Sequence, residues 1–347
     1  MQEFTILPSP LESNTSYVRD ILPAKSRLFL NRAAFSQALI KKVPVMPVFK
    51  TASVFVKKSD GLKNQLSELL EAIDRAGVTP LLDESAASIM GGGAGLEPHG
   101  IDDLGRLGEV AIVLGGDGTT LGVGRTLAAY DRPIIGINAG RLGFITDIVL
   151  EEVKQILPLM LSGHFVQDSR PIIEGEVLHQ GKTVFHSNAV NDAGITHGRI
   201  GGMVEFTIYV DGLRMSSQRA DGIIYATTTG STAYALAAGG PILHPALQGA
   251  VLVPVAPHTL SNRPIVLPAS SVVDIELTEV KDGQAYFDMQ EFHSMSEGDI
   301  LHICMGKTRF TLLHPAGFNH YDLLRRKLKW NLMPTSSRFA DSIRRGS

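Results

Sequence analysis

Apolar residues fall into two textures along the chain, separated near residue 165. In the first part, Thr51-Ala52-Ser53-Val54-Phe55-Val56, Val110-Ala111-Ile112-Val113-Leu114 and Pro133-Ile134-Ile135-Gly136-Ile137 are short continuous runs that suit buried strands. Between them Leu62, Leu66, Leu69, Leu70 and Ile73 recur at helical spacing, with Asp60 placed to cap the start and Gly77 to stop the end. Val78 to Leu82 predicts a further strand, and Leu121 to Tyr130 a further helix. Ser85 to Gly100, which contains Gly91-Gly92-Gly93, predicts a mobile surface connection. Alternating helices and apolar strands imply a mostly parallel, helix-covered sheet. Residues 1–47 show no sustained alternation and read as an irregular arm.

Beyond residue 165 the period shortens to two. Val204, Phe206, Ile208 and Val210 alternate with Glu205, Thr207 and Tyr209, and Asp211-Gly212 supplies a hairpin turn. Val273, Ile275 and Leu277 alternate with polar residues in the same way. Val251–Val255, Leu301–Met305 and Arg309–Leu313 are further strand candidates, so this part is predominantly β. The basic cluster Arg325-Arg326-Lys327-Leu328-Lys329 reads as a solvated helix face.

Composition narrows the function classes. The 35 Gly and 18 Pro disfavour an all-helical bundle, and 347 residues divide more naturally into two domains than one. A formal net charge of -3 gives no broad attraction to nucleic acid or to an anionic membrane. The first residues lack the layout of a secretion signal. Gly222 to Asn262 carries no Asp, Glu, Lys or Arg, but its prolines, paired glycines and hydroxyls argue against a spanning helix and for a buried site segment. The single cysteine, Cys304, excludes an intrachain disulfide and fits a reducing, cytoplasmic setting.

Three segments carry candidate chemistry. Gly115-Gly116-Asp117-Gly118-Thr119 follows an apolar run and precedes a helical one. Glycines there permit positive φ and let backbone amides approach an anion, and the helix start adds free N–H groups. Asp117 can ligate Mg²⁺ or take a proton from an alcohol; the alternative is a tight turn in which Asp117 only caps the helix. Neither the Walker pattern nor GxGxxG fits this turn. The second segment is Asp221-Gly222 followed by Thr227-Thr228-Thr229-Gly230-Ser231-Thr232-Ala233-Tyr234 and Gly239-Gly240-Pro241. Its hydroxyls need partners if buried, from a polyol or phosphate-rich ligand or from ordinary backbone caps. The third is Asn191-Asp192, which can hold sugar hydroxyls or simply form a turn. The histidines show no metal-binding spacing.

Together these segments resemble the NAD kinase family, in particular its bacterial members, over about residues 50–330. Gly115-Gly116-Asp117-Gly118-Thr119 matches the family's GGDGT signature, and Asn138-Ala139-Gly140-Arg141-Leu142-Gly143-Phe144 its N-x-G-x-L-G-F segment. Asn191-Asp192, the Asp221-Gly222 to Tyr234 block and Pro257-His258-Thr259-Leu260-Ser261-Asn262-Arg263-Pro264 match three more. Thr228 stands where the family commonly has Pro, Ala139 where many bacterial members have Arg, and Gly202 where some relatives have a ligand-contacting His.

The resemblance implies an α/β N-terminal domain over 48–150, a β-sandwich-like C-terminal domain over 151–312, and a segment over 313–347 that returns to the first domain. It implies transfer of the ATP γ-phosphate to the 2′-hydroxyl of the adenosine ribose of NAD, giving NADP and ADP. Asp117 would be the catalytic and metal-binding residue, with a divalent cation, Mg²⁺, as cofactor. Gly116, Gly118 and Thr119 would surround the phosphates, and Asn191 and Asp192 would hold the adenosine. Arg219, Asp221, Thr232, Ala233, Tyr234, Ala235, Leu236, Ala237 and Gln290 would complete the NAD pocket. A homodimer or homotetramer follows, with Asp221 reaching NAD on a neighbouring subunit; nucleic acid and membrane partners do not. Arg219 favours comparison with ATP-dependent, NAD-preferring relatives. A lipid kinase sharing the GGDG turn, or a nucleotide-binding regulator without activity, would form no NADP from NAD and ATP.

Overall fold

The computed structural model describes residues 46–59, 61–92, 97–140, 143–198, 201–259 and 261–329. The arm before residue 46, the Asp60 cap, Gly93, Arg141, Leu142, Leu260 and the tail after residue 329 lie outside them.

The apolar runs of the first half form β1 (Thr51–Val56), β2 (Thr79–Leu82), β3 (Val110–Gly115), β4 (Ile134–Asn138) and β5 (Ile148–Val149). They pair in parallel in the order β2-β1-β3-β4-β5. Side chains alternate across a strand, so β1 feeds both faces. Ala52, Val54 and Val56 pack with Leu66, Leu69 and Ile73 of α1 (Lys63–Arg75), while Phe55 turns to the opposite cluster with Leu104, Leu121 and Leu127. Gly77, at φ 72°, ends α1: its N–H bonds Asp74 O and that of Val78 bonds Ile73 O, the Schellman pattern that a left-handed glycine permits.

Two local expectations change. The connection after residue 85 contains α2 (Glu84–Met90), which starts because Asp83 accepts a 2.7 Å bond from Ala86 N–H and buries Ala86 and Ala87. After α3 (Ile101–Leu107), the helix expected from Leu121 begins at Asp117 instead: α4 (Asp117–Leu127) has Gly116 as its N-cap residue, placing Gly118 and Thr119 inside its first turn. Low helix propensity in glycines hides this start from a pattern reading.

After α5 (Val153–Leu161) the chain is mainly antiparallel: β6 (Phe165–His179), β7 (Lys182–Ala189), β8 (Asp192–His197), β9 (Val204–Val210), β10 (Leu213–Ala220) and β11 (Gly222–Ala226), then α6 (Tyr234–Ala237), β12 (Gly249–Val255), β13 (Ile265–Pro268), β14 (Val273–Glu279), β15 (Gly283–Phe287), β16 (Glu291–Met295) and β17 (Ile300–Pro315). Asp211 and Gly212 both have positive φ in the tight turn joining β9 to β10. The two strands expected over 301–313 are one, β17, interrupted by an irregularity between Met305 and Arg309.

Strand β17 is the seam of the molecule. It lies antiparallel to β6 and β14, and its Leu312 pairs in parallel with Ile134 of β4, so an 11-stranded mixed sheet runs through both halves. A second, antiparallel sheet has the order β13-β12-β11-β8-β15-β16. One apolar cluster joins the two sheets, with Phe206, Ile208, Ile275 and Ile303 meeting Ile195, Tyr225, Leu252 and Phe287. The chain then enters α7 (His320–Leu328), where Lys327 lies 5.5 Å above the Phe144 ring rather than wholly in solvent. The charge-free stretch after Asp221 becomes strands, turns and the short α6, and among the described residues no helix is long and apolar enough to cross a membrane.

Candidate active site

The glycine turn works through space, not through unusual backbone angles. Gly115, Gly116 and Gly118 all lack positive φ. A Cβ on Gly115 would lie 2.8 Å from Thr119 Cβ, whereas one on Gly116 or Gly118 would meet nothing within 4 Å. The last two therefore leave open room over the N-terminus of α4, where unpaired amides and the helix dipole favour an anion.

Asp117 stands at that terminus, half-buried, and does not cap its own helix. Its Oδ2 accepts from Phe144 N–H at 2.7 Å; its Oδ1 accepts from Ile145 N–H, Thr146 N–H and the Thr146 hydroxyl at 3.3, 3.2 and 2.9 Å. Two carboxylate oxygens offer about four acceptor positions, and the uneven sharing leaves Oδ2 with room for another partner. The gripping loop is itself tied down: Asn138 Nδ2 donates to Thr146 Oγ1 at 2.9 Å, and Gly140 N–H to Asn138 Oδ1 at 2.7 Å. A Cβ on Gly143 would fall 1.8 Å from Asp117 Oδ1, which is why the N-x-G-x-L-G-F segment ends in glycine before Phe144.

Asn191 and Asp192 form the entry to β8, and the Thr-rich turn packs on them. Thr227 N–H donates to Asn191 O at 2.9 Å and the Thr227 hydroxyl to Val190 O at 2.7 Å. Gly230 is required by this approach, since a Cβ there would lie 2.0 Å from Asn191 O. Most of the hydroxyls serve the turn itself: Ser231 donates to Thr228 O, Thr232 donates to Thr229 O, and Thr229 accepts from Arg170. Two buried acceptors remain without a partner, Thr228 Oγ1 and Asp192 Oδ1, the condition that a polar ligand relieves. Burial, followed by the nearby charge of Asp288, pushes Asp192 up to about 7. Burial, followed by the charges of Asp192 and Asp221, raises Tyr234 above the ordinary tyrosine value.

Two supporting networks carry no motif. Asp288 accepts from the N–H groups of Val190, Asn191 and Asp192 at 2.9, 2.7 and 3.2 Å, and Gln290 Nε2 donates to Gly118 O at 3.0 Å. In the second network, His314 Nδ1 lies 3.3 Å from Asp147 Oδ2, and its Nε2 lies 3.5 Å from Asp168 Oδ2. Arg170 continues this line by donating to Asp168 at 2.9 and 2.6 Å and to Thr229 Oγ1 at 3.2 Å. Burial pulls His314 down, but the flanking Asp147 and Asp168 win and its pKa lies above the ordinary value. Burial likewise opposes ionisation of Asp168, yet His314 and Arg170 hold its carboxyl below the usual range.

The expected pocket residues do not all converge. Gly116, Asp117, Gly118 and Gln290 are joined by direct contacts, as are Asn191, Asp192 and the Thr-rich turn that leads into Thr232–Ala237. Arg219 instead lies 3.5 Å from Glu205 and lines a cavity of about 290 Å³ with Gly202, Met203, Lys281 and Asp282. Asp221 is bonded through its backbone to Val255 and His197.

An open helix N-terminus, an aspartate at its head and a hydroxyl-rich turn tied to the same region are parts that a phosphotransferase acting on a nucleotide can use. The family comparisons agree. Residues 98–165 match the ATP-NAD kinase N-terminal domain and residues 190–314 the ATP-NAD kinase C-terminal domain. The NAD kinase of Cupriavidus pinatubonensis is 46% identical over 288 residues, covering 83% of this chain and 94% of that one. Among solved structures, yeast NADH kinase complexed with NADH aligns with a TM-score of 0.73 at 21% identity, covering 83% of this chain and 89% of that one. An NAD kinase from Archaeoglobus fulgidus in complex with ATP gives 0.63 at 24%, covering 80% and 97%; both likenesses bear on the fold. The chain belongs to the NAD kinase family, the enzymes that phosphorylate NAD to NADP with ATP.

Proposed function

We propose that this chain transfers the ATP γ-phosphate to the 2′-hydroxyl of the adenosine ribose of NAD in the cleft between the Gly115–Thr119 turn and the Asn191 and Thr227–Ser231 loops. The observation that carries the reading is Asp117: a half-buried carboxylate at an open helix N-terminus, aimed by four donors and retaining room on Oδ2. Oδ2 would accept or orient the proton of the attacking hydroxyl. Gly116, Gly118 and Thr119 would leave the amides of α4 open to the phosphates. Thr228 Oγ1 and Asp192 Oδ1, buried and unpaired, suit the hydroxyls and amide-like edges of the nucleoside, with Asn191 beside them.

A divalent cation fits this donor set. Among the described residues no cluster of three or more acidic, His or Cys side chains could hold one. Mg²⁺ commonly takes only one or two carboxylates and completes its shell with waters and substrate phosphates, so Asp117 suffices on the protein side. When bound, it would neutralise charge on the phosphate oxygens.

Tyr234 and the short helix that it opens, Gln290, Asp221 and Arg219 would complete the NAD pocket. The separation of Arg219 from the Asp117 contacts suits a homodimer or homotetramer in which Asp221 meets NAD across a subunit boundary. The second half is read as a sandwich-like domain over 151–312, the final segment from 313 as a return to the 48–150 domain, and the setting as cytoplasmic. The test is an NADP-specific dehydrogenase assay on purified protein with NAD, ATP and Mg²⁺. Coupled NADP is expected, and its loss on chelation; phosphorylated NAD that the dehydrogenase does not accept would mean a different acceptor hydroxyl and overturn the reading.

A further inference from the structure

The short turn between β15 and β16 touches both substrate loops and belongs to neither. Asp288 is buried, and its carboxylate is committed to three successive N–H groups of the Val190-Asn191-Asp192 bend. Its own N–H returns a 2.8 Å bond to Asp192 O. Two residues on, Gln290 reaches the opposite loop at Gly118 O. The next residue, Glu291, pairs through Oε1 with Arg125 of α4, while its Oε2 accepts from the Ser187 hydroxyl of β7 at 2.6 Å. Arg125 is almost fully buried and its Nε lies 4.0 Å from Asp288 Oδ2.

The backbone of this turn is unusual. Asp288 and Met289 lie at φ 52° and 53°, the left-handed region that side chains other than those of Asn, Asp and Gly avoid. Such conformations persist where the surroundings over-determine them. Here they send Asp288 inward to the adenosine-side loop and Gln290 outward to the phosphate-side loop. The same two angles close the tight hairpin between β15 and β16, in which Phe287 pairs with Glu291.

We propose that the Asp288–Glu291 turn is a latch that sets the distance between the acceptor loop and the phosphate loop, with Asp288 and Arg125 as positioning residues for phosphoryl transfer. The proposal rests on the reading of Asn191-Asp192 and Gly116–Thr119 as the substrate loops. In-line transfer depends on register, because misplacing reactants by about 1 Å can cost on the order of 100-fold in rate. Arg125 acts through α4, the same rigid helix that carries Asp117 two turns earlier. Asp288 acts through the backbone of Asn191.

The test compares Asp288→Asn, Arg125→Lys and their double variant with the parent in the full chain, by NADP formation at saturating NAD and ATP and by thermal unfolding. Asn tolerates left-handed φ, so the turn can survive while the charged acceptor is lost. The latch predicts a fall in kcat of about 10- to 100-fold in each folded single variant, with the KM for ATP within about threefold of the parent. It also predicts a double variant within about threefold of the worse single, since both break one unit. A folded Asp288→Asn protein with parental kcat overturns the latch; if that protein does not fold, parental kcat in Arg125→Lys overturns it. Asn191→Ala separates the two possible failures. An unchanged KM for NAD there refutes the substrate-loop reading, and the latch with it. A raised KM there, beside parental kcat in Asp288→Asn, refutes the latch alone.

Discussion

Asp117 and Asp288 use the same device to different ends. Each carboxylate takes three consecutive backbone N–H groups from a distant loop: Asp117 from Phe144, Ile145 and Thr146, Asp288 from Val190, Asn191 and Asp192. Asp288 is buried with Arg125 behind it, and burial rather than full occupancy sets it apart, since its Oδ2 also accepts only one of its three donors. Asp117 is half-buried at an open helix end, and Oδ2 accepts only one of its four donors. Burial thus turns one aspartate into a brace, while exposure at a helix N-terminus leaves the other able to meet substrate.

Asp117→Asn is the largest break of this comparison. The amide can still accept through one oxygen, but its NH₂ faces a loop of donors and cannot act as a base. General-base loss typically costs on the order of 100- to 10,000-fold, or roughly 3–5.5 kcal/mol of barrier. NADP turnover at saturating substrates should fall at least about 100-fold, with NAD still bound by a folded protein. Near-parental turnover would remove Asp117 from the chemical step.

Asp192 sharpens the contrast, because it shares the buried side with Asp288 yet lacks its donors. Its folded pKa, pushed up to about 7, lies above the ordinary 3.8. The folded state therefore holds a proton that the unfolded chain has lost, and stability from this group falls as pH rises from about 4 to 7. A shift of this size bounds the effect at roughly 4 kcal/mol. Asp192→Asn, neutral at every pH, should remove that slope: chemical denaturation at pH 5 and 7 should show the parent losing more stability than the variant. Parallel slopes would mean that Asp192 is not buried as described.

The same contrast explains what a sequence reader can see. Asp117 lies between glycines just after an apolar strand, and all its context is local, so its turn and the parallel strands around it are legible. The partners of Asp288 are 96 to 98 residues away, and Arg125 meets Glu291 across 166. Arg170 reaches Thr229 across 59 residues and His314 reaches Asp147 across 167. Nothing in the neighbours of these residues announces a partner on another strand. The role of glycine is also misread easily: positive φ is the usual reason for glycine, yet Gly116 and Gly118 contribute open space, and Gly143 and Gly230 close approach. Both halves announce their strands by periodicity; that β17 sews them into one sheet depends on a register that periodicity does not contain.

Gly230→Ala probes the acceptor side more gently. Its Cβ must displace the Asn191 backbone, which Asp288 holds from the other side. Overpacking of this kind costs about 1–3 kcal/mol. A lower unfolding temperature is expected together with a raised KM for NAD, while Gly181→Ala, at a hairpin turn with open space around its Cβ, should change stability through its φ of 75° and leave the KM alone. Equal KM values in both variants would uncouple the Gly230 contact from NAD.

The smallest effect belongs to a third aspartate that also accepts a backbone amide. Asp83 caps α2 through Ala86 N–H at 2.7 Å, far along the chain from either substrate loop. If gripping a loop mattered only through stability, all three aspartates would differ in degree alone. Asp83→Ala should remove about 1 kcal/mol, the ordinary worth of an N-cap, and leave kcat and both KM values at parental levels. Thermal unfolding and the NADP assay on one preparation check this. A loss of turnover larger than the loss of folded protein would show that α2 reaches the site, and that the division drawn between braces and the substrate-facing aspartate is too sharp.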